Sequence, residues 1–364
     1  MRTPVSGGMA LTLTSLSDAP WTRFDTVIDV RAPAEFAEDH LPGAISLAVL
    51  SDEERARVGT IYKQVSAFEA RKIGAALVAR NAARHIEERL MEHDGAWRPL
   101  VYCWRGGQRS NSFASILSQI GWRVEVLDGG YRSYRRLVNA MLHEDPLPHR
   151  LVLLDGNTGT AKTAVLARLA ATGVQVLDLE GMAEHRGSIF GGLEAPQPAQ
   201  KMFESRIVER LATLDTARPV LVEAESSKIG RLGLPKSLWQ AMCAAPRIEI
   251  EAPVAARADY LVRAYADLVE DAALLEDRLE ALRPLRGGEQ VAQWKAQAQA
   301  RELPTLAEGL ITAHYDPAYA RSRARSLERI KATVTANELD ESGLDRLAAQ
   351  VSEALDRLDK GKAL

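Results

Sequence analysis

Between Leu151 and Gly173 the chain reads LVLLDGNTGTAKTAVLARLAATG: an apolar run, a loop rich in glycine and threonine, then alanine and leucine at helical spacing up to a glycine stop. A strand that feeds through such a loop into a helix belongs in a parallel sheet, because the helix must return across the sheet face before the next strand begins. The same grammar occurs upstream in Leu100–Leu117, LVYCWRGGQRSNSFASIL. Two such units in 364 residues point to two α/β domains, and the length allows each its own core.

TVIDV, LVYC and RVEVLD read as buried strands between helices. They predict a parallel sheet in a first domain, residues 16–141, after a flexible N-terminus, 1–15. LHEDPLPHR is polar, carries two prolines and reads as a linker over 142–150. LVLLD, VQVLDLE, RPVLVEAE and PRIEIEA supply parallel strands for a second α/β domain, 151–252. From Pro253 onward Ala, Leu, Arg and Glu dominate and no strand pattern is evident, so 253–364 reads as a helical region packed on the second domain. Its tail, ESGLDRLAAQVSEALDRLDK, predicts one amphipathic helix with Ser342 as N-cap.

Charge and cysteine content narrow the function. The formal net charge is −3, so a polyanionic partner would need a local basic surface. Two cysteines exclude a disulfide framework and fit a reducing cytosol. The N-terminus lacks a signal-peptide pattern, and no apolar run approaches the roughly 20 residues a membrane span needs, so a cytoplasmic protein without membrane contact is expected.

Cys103 ends a strand and precedes Trp-Arg-Gly-Gly-Gln-Arg-Ser and a helix. Gly106 and Gly107 permit a tight turn whose amides, with those of Gln108 and Ser110, point inward as an anion nest. The helix N-terminus and the cations Arg105 and Arg109 add positive potential, which favours thiolate over thiol. Cys103 is therefore the candidate nucleophile and Arg109 its catalytic partner, although a free cysteine is also among the most frequently buried residues. The Cys-x5-Arg count from Cys103 to Arg109 resembles that of phosphatase loops, and the resemblance implies a tetrahedral, phosphate-like oxyanion. Cys243, in the apolar LWQAMCAAP, reads as structural.

Gly156-Asn-Thr-Gly-Thr-Ala-Lys-Thr163 has P-loop spacing with Ala161 where the pattern expects glycine. Gly156, Thr158, Gly159, Thr160 and Ala161 would cradle phosphates with backbone amides, Lys162 would reach their oxygens, and Thr163 would face a metal. An alanine forced to positive φ costs about 1 kcal/mol, which argues against a loop tuned for tight nucleotide binding. Glu223 ends an apolar strand, where P-loop proteins keep a base or metal-holding carboxylate, so Thr163 and Glu223 are the candidate Mg²⁺ ligands. Arg186, Lys228 and Arg231 follow strand ends and are candidate phosphate contacts; the bland alternative is solvated surface charge.

VIDVRAPAEFAEDHLPGAISL resembles the first signature of rhodanese-like domains, with Asp29, Arg31, Glu35, His40, Pro42 and Gly43 in the matching places, and DGGY, Asp128–Tyr131, resembles a later segment of that fold. Taken in order, YCWRGGQRS, GNTGTAKT, DLEGMAEHRGSIFG, QPAQKMFE, VEAESSKIG and HYDPAY are similar to the motifs of tRNA 2-selenouridine synthases, from about Leu16 to Tyr319. The resemblance implies a transferase acting on the wobble uridine of the tRNAs for Lys, Glu and Gln. It implies S-geranylation of 2-thiouridine by geranyl diphosphate, then replacement of the geranylthio group by selenium from selenophosphate, itself delivered by a supply enzyme. No tightly bound cofactor is implied, and Mg²⁺ is a candidate companion of the diphosphate. Arg321, Arg325 and Arg329 would form a tRNA-binding stripe on one helical face at i, i+4 and i+8, against the alternative of a plain solvated helix. The geranyl pocket stays unassigned among Phe190, Met202, Phe203 and Trp239, each of which also reads as core. Two other classes stay open: an ATP-dependent tRNA sulfur transferase with Cys103 as persulfide carrier, and a Cys-x5-Arg phosphatase with a nucleotide-binding module. A tRNA-binding scaffold without catalysis would leave both loops unexplained.

Overall fold

Every strand of the first unit runs parallel to its neighbours. The computed structural model describes residues 10–16, 19–188, 190–192, 195–323 and 327–361. The first sheet comprises β1 (Ala10–Leu11), β2 (Thr26–Asp29), β3 (Ala44–Ser46), β4 (Pro99–Tyr102) and β5 (Glu125–Leu127), in the order β1-β5-β4-β2-β3. The central strands are apolar on both faces, as a sheet covered by helices on each side requires. Ile28, Val101, Phe113 and Leu117 are wholly buried between them. Asp29 pairs with Tyr102 across β2 and β4, so Arg31 and Cys103 leave the sheet at the same end. Two helices, Asp52–Gln64 and Ala67–His85, intervene between β3 and β4. Ser51 and Glu54 form a reciprocal capping box at the first, and Ser66 caps the second.

The second sheet is also fully parallel: β6 (Arg150–Gly156), β7 (Val176–Leu177), β8 (Pro219–Glu223), β11 (Arg247–Glu251) and β12 (Ile330–Thr335), in the order β12-β11-β6-β8-β7. A hairpin of β9 (Lys228–Ile229) and β10 (Leu232–Gly233) lies outside it. β7 is shorter than VQVLDLE suggests, because the Asp178 carboxylate accepts from the Gly181 amide and starts the helix Leu179–Ala183. The helix Glu341–Asp359 packs Leu344, Leu347, Val351 and Leu355 against Ala332 and Val334 of β12, and its N-cap is Asp340, not Ser342.

β12 corrects the expectation of an all-helical region after Pro253. Its inward residues Ala332 and Val334 alternate with outward Lys331 and Thr333, a period of two that pays off only at the edge of an existing sheet. The arginine stripe breaks for the same reason. The helix Asp316–Arg323 contains Arg321, Arg325 lies outside the described residues, and Arg329 ends a 3-10 turn, Leu327–Arg329, where it donates to the Ala244 carbonyl at 2.7 Å. Arg321 and Arg329 therefore do not lie on one helix. Cys243, read as structural from its apolar surroundings in sequence, is exposed.

Two compact units partition the chain: the described residues up to Asp145 together with Pro198–Thr213, and Pro146–Gln197 with the described residues from Leu214 onward. The helix Gln200–Ala212, read from sequence as part of the second domain, thus groups with the first unit. No helix among the described residues is long and apolar enough to cross a membrane.

Candidate functional site

Cys103 is only 4 % exposed at the floor of the loop that joins β4 to the helix Gln108–Ile120. The Gly107 amide donates to its sulfur at 3.3 Å, and the Ser110 hydroxyl stands 3.3 Å away. Burial alone would raise the thiol. The Ser110 hydroxyl, the backbone amides of Ser110 and Arg105 and the Arg109 charge outweigh it and hold Cys103 below the ordinary thiol range. Gly106 takes φ +64° to turn the loop. Gly130 seals it from behind: a β-carbon there would overlap the Cys103 carbonyl and stand 2.5 Å from the Gly106 nitrogen. The Tyr131 amide then donates to the Cys103 carbonyl at 2.8 Å and the Arg132 amide to that of Trp104 at 3.1 Å.

Around this nest the rhodanese-type residues form a buried brace. Arg31 grips Asp29 through Nε and Nη2, donates to the Asp39 carbonyl and lies 4.0 Å from the Tyr131 ring centroid, while the Tyr131 hydroxyl donates to Asp39 Oδ2 at 2.6 Å. Glu35 Oε2 accepts from Arg109 at 2.9 Å and pairs with Arg55 at 3.0 Å. Although burial opposes it, these two cations hold the Glu35 carboxyl below its usual range. Arg109, Gly107 and Gln108 open onto a cleft of about 820 Å³ whose far wall includes Arg55, Lys63 and Arg71. Arg105 is exposed and lines a different groove with Arg132 and Arg136, so its amide, not its guanidinium, serves the sulfur.

The second loop takes the P-loop course. Gly156 and Gly159 have φ of 151° and 88°, and β-carbons there would meet Thr160 Oγ1 at 2.6 Å and the Arg257 carbonyl at 3.0 Å. Ala161 sits at φ 61°, ψ 29°, the left-handed geometry that favours glycine, as N-cap of the helix Lys162–Ala171. Lys162 Nζ folds over the loop and donates to the Gly156 carbonyl at 2.8 Å. Arg257, 3 % exposed, holds the loop from outside through the Thr158 carbonyl and a fork onto Asp316. Nothing in VAARADYLVRA marked Arg257 as special, and its partners lie far off in sequence.

The carboxylates that line this cleft are Glu180 and Glu225, not Glu223. Glu180 Oε2 accepts from Thr163 Oγ1 at 2.9 Å. Burial, then the neighbouring Glu225 charge, pushes the Glu180 carboxyl up to about 7. Gly187 takes φ +70°, which favours glycine, and a β-carbon there would push aside Glu180 Oε1 and stand 3.0 Å from Glu225 Oε1. Glu223 lies behind them, wholly buried, with Oε2 accepting from the Leu179 amide at 3.2 Å; burial and the nearby Asp178 and Glu180 hold it well above the carboxylate range. Arg186 lines the cleft, forked onto Asp267 and 4.9 Å from the Tyr265 ring centroid. Lys228 and Arg231 sit on the β9–β10 region and are not among the lining residues; Arg231 donates to the Gln197 carbonyl. Among the described residues, no three His, Cys, Asp or Glu side chains are grouped to hold a metal.

Both modules match known families. Residues 12–137 match the rhodanese-like domain, and residues 149–282 match the tRNA 2-selenouridine synthase AAA domain. A tRNA 2-selenouridine synthase from Nitrosomonas europaea is 35 % identical over 270 residues, spanning 73 % of this chain and 68 % of that protein. One from Pseudomonas syringae pv. tomato is 35 % identical over 358 residues, spanning 90 % of this chain and 94 % of that protein. One from Alcanivorax borkumensis is 37 % identical over 256 residues, spanning 69 % and 67 %. With a cysteine nest and a P-loop both in place, the chain belongs to the tRNA 2-selenouridine synthase family.

Proposed function

We propose that this protein converts 2-thiouridine at the tRNA wobble position, in the tRNAs for Lys, Glu and Gln, into 2-selenouridine in two steps. Tertiary structure supports a division of labour: one unit carries the cysteine nest, the other the phosphate loop. The Cys103 nest carries the reading most, because a sulfur held toward thiolate by amides, a hydroxyl and an arginine is built to meet a tetrahedral oxyanion such as selenophosphate.

In the first step the thiouridine sulfur attacks the allylic carbon of geranyl diphosphate. The new S–C bond forms as the C–O bond breaks, diphosphate leaves, and the N3 proton must depart. The loop amides and Lys162 offset charge growing on the leaving diphosphate. Glu180, paired with Glu225 and titrating near neutrality, takes the proton. The Thr163 hydroxyl, on the cleft wall, is a hard oxygen donor of the kind Mg²⁺ accepts beside phosphate oxygens, and it would hold the ion there. Bound Mg²⁺ would supply further charge neutralisation to the diphosphate. In the second step the selenium of selenophosphate attacks the pyrimidine C2, the C–S bond breaks and geranylthiol leaves, and water then cleaves the Se–P bond to release phosphate, with Cys103 and Arg109 at the oxyanion. Arg105, Arg132 and Arg136, on one groove of the first unit, are the cations offered to the tRNA backbone.

The test is incubation of the protein with thiolated tRNA and geranyl diphosphate, with and without selenophosphate, followed by nucleoside mass spectrometry. The geranylated nucleoside should appear without selenophosphate and the selenated one only with it. Turnover that requires ATP, or sulfur insertion without geranyl diphosphate, would instead establish the sulfur-transferase reading.

A further inference from the structure

The phosphate cleft does not end at its polar walls. Thr158, Leu261, Tyr265 and Tyr315 line it and also line a second, narrow pocket that runs into the helical part of the same unit. Beyond that shared mouth the walls are Phe190, Val262, Leu268, Leu275, Leu306 and Leu310, and no charged side chain lines the pocket. The mouth hydroxyl of Tyr265 is engaged with Ser188 Oγ at 3.1 Å. A nucleobase placed there would leave its ring nitrogens and exocyclic groups without partners, a burial that polar groups resist. A hydrocarbon chain suffers no such loss and gains by leaving water. Leu279, Leu282, Val291 and Trp294, each 1 % exposed or less, pack in the same cluster behind the lining residues, so the space is bounded.

We infer that the P-loop cleft and this pocket together form one site for an amphiphilic diphosphate: the loop holds the head, and the pocket takes the aliphatic tail and limits its length. This rests on the proposed geranyl diphosphate reaction and adds the location of the tail. Of the residues that sequence offered for that pocket, Phe190 lines it, whereas Met202 and Phe203 lie on the helix Gln200–Ala212 of the first unit and Trp239 on the helix Lys236–Ala244. Phe190 lies far along the chain from Leu306 and Leu310, which share the helix Leu303–Leu310, and this is why no local motif announces the pocket.

The experiment is equilibrium binding of geranyl diphosphate, farnesyl diphosphate and inorganic diphosphate to the full chain and its variants. Val262→Trp, at a half-buried position, and Leu306→Trp each fill the pocket and should weaken geranyl diphosphate by about tenfold or more while inorganic diphosphate binds as before. Lys162→Ala should weaken both. Leu310→Ala enlarges the pocket and should raise the affinity for farnesyl relative to geranyl diphosphate by about fivefold, a ratio that a partial loss of folded protein leaves unchanged. Unchanged geranyl diphosphate affinity in both tryptophan variants, or an unchanged chain-length ratio in Leu310→Ala, overturns the tail site while leaving the head site standing. Wild-type protein that binds neither geranyl nor inorganic diphosphate refutes the underlying reaction as well.

Discussion

Ser110 offers the cleanest test of the cysteine nest, because its one hydroxyl proton has two acceptors. It lies 3.3 Å from the Cys103 sulfur and 3.1 Å from the Gly107 carbonyl. When Cys103 is a thiol, the proton rests on the carbonyl; when Cys103 ionises, the proton turns to sulfur. A hydrogen bond to a charged partner contributes about 1.5–3 kcal/mol and one to a neutral partner about 0.5–1.5, so the switch favours the thiolate by about 1–1.5 kcal/mol. At about 1.4 kcal/mol per pH unit, Ser110→Ala should raise the Cys103 pKa by about one unit. The wild-type pKa lies below the ordinary thiol value, so the substitution moves it back up and lowers the thiolate fraction near neutral pH. The assay is the rate of iodoacetamide alkylation against pH, in a Cys243→Ser background because Cys243 is exposed and would react too. A midpoint that stays put, or falls, in Ser110→Ala would refute the view that this hydroxyl sustains the thiolate.

Cys103→Ser should abolish selenation while geranylation continues, since only the second step uses the sulfur; equal loss of both products in nucleoside mass spectrometry counts against the division of labour. Gly130→Ala drives a β-carbon into the Cys103 carbonyl at φ +59°, and overpacking with backbone strain should destabilise the first unit by about 3 kcal/mol, read as an earlier denaturant transition. The raised Glu180 carboxyl, at about 7, is protonated below that pH and charged above it, so the geranylation rate should climb through neutrality, and Glu180→Gln should remove that limb of the pH profile. Ala161→Gly relieves about 1–2 kcal/mol of left-handed strain, but it loses a buried methyl, about 0.8, and loosens the unfolded chain, about 0.4–1; thermal unfolding should move little, whereas the β-branched Ala161→Val should be clearly destabilised.

What was legible in the sequence was whatever a few consecutive residues decide. The Cys103 loop and the Gly156–Thr163 loop each lie between one strand and the next helix, so spacing, glycine placement and charge carried their chemistry. The P-loop alanine was legible even in its strain. What escaped depends on residues that the sheet brings together. Leu177 pairs with Val222 in β7 and β8, and Glu180 and Glu225 each lie three residues beyond that rung, so adjacent parallel strands deliver two carboxylates to one cleft. Sequence offered Glu223 because it ends the strand, but a last strand residue turned into the core meets Leu179 and not the ligand.

The arginine run after Tyr319 shows the opposite error, a local pattern overruled by tertiary context. Its charges at i, i+4 and i+8 satisfy a helix, yet charge spacing brings no apolar burial. Ile330, Ala332 and Val334 alternate toward the core and find an open sheet edge at β11. Burial of apolar side chains outweighs surface charge spacing, which contributes only a few tenths of a kcal/mol per pair, so the strand forms and Arg329 stands outside the helix that holds Arg321. The same asymmetry governs the ligand. A phosphate head is recognised by consecutive backbone amides and is written in eight adjacent letters, Gly156 to Thr163. A hydrocarbon tail is recognised by shape and dryness alone, and its walls come from Phe190 and from helices between Val254 and Leu310. For an amphiphilic substrate, a single sequence therefore discloses the charged half, and the apolar half has to be found in three dimensions.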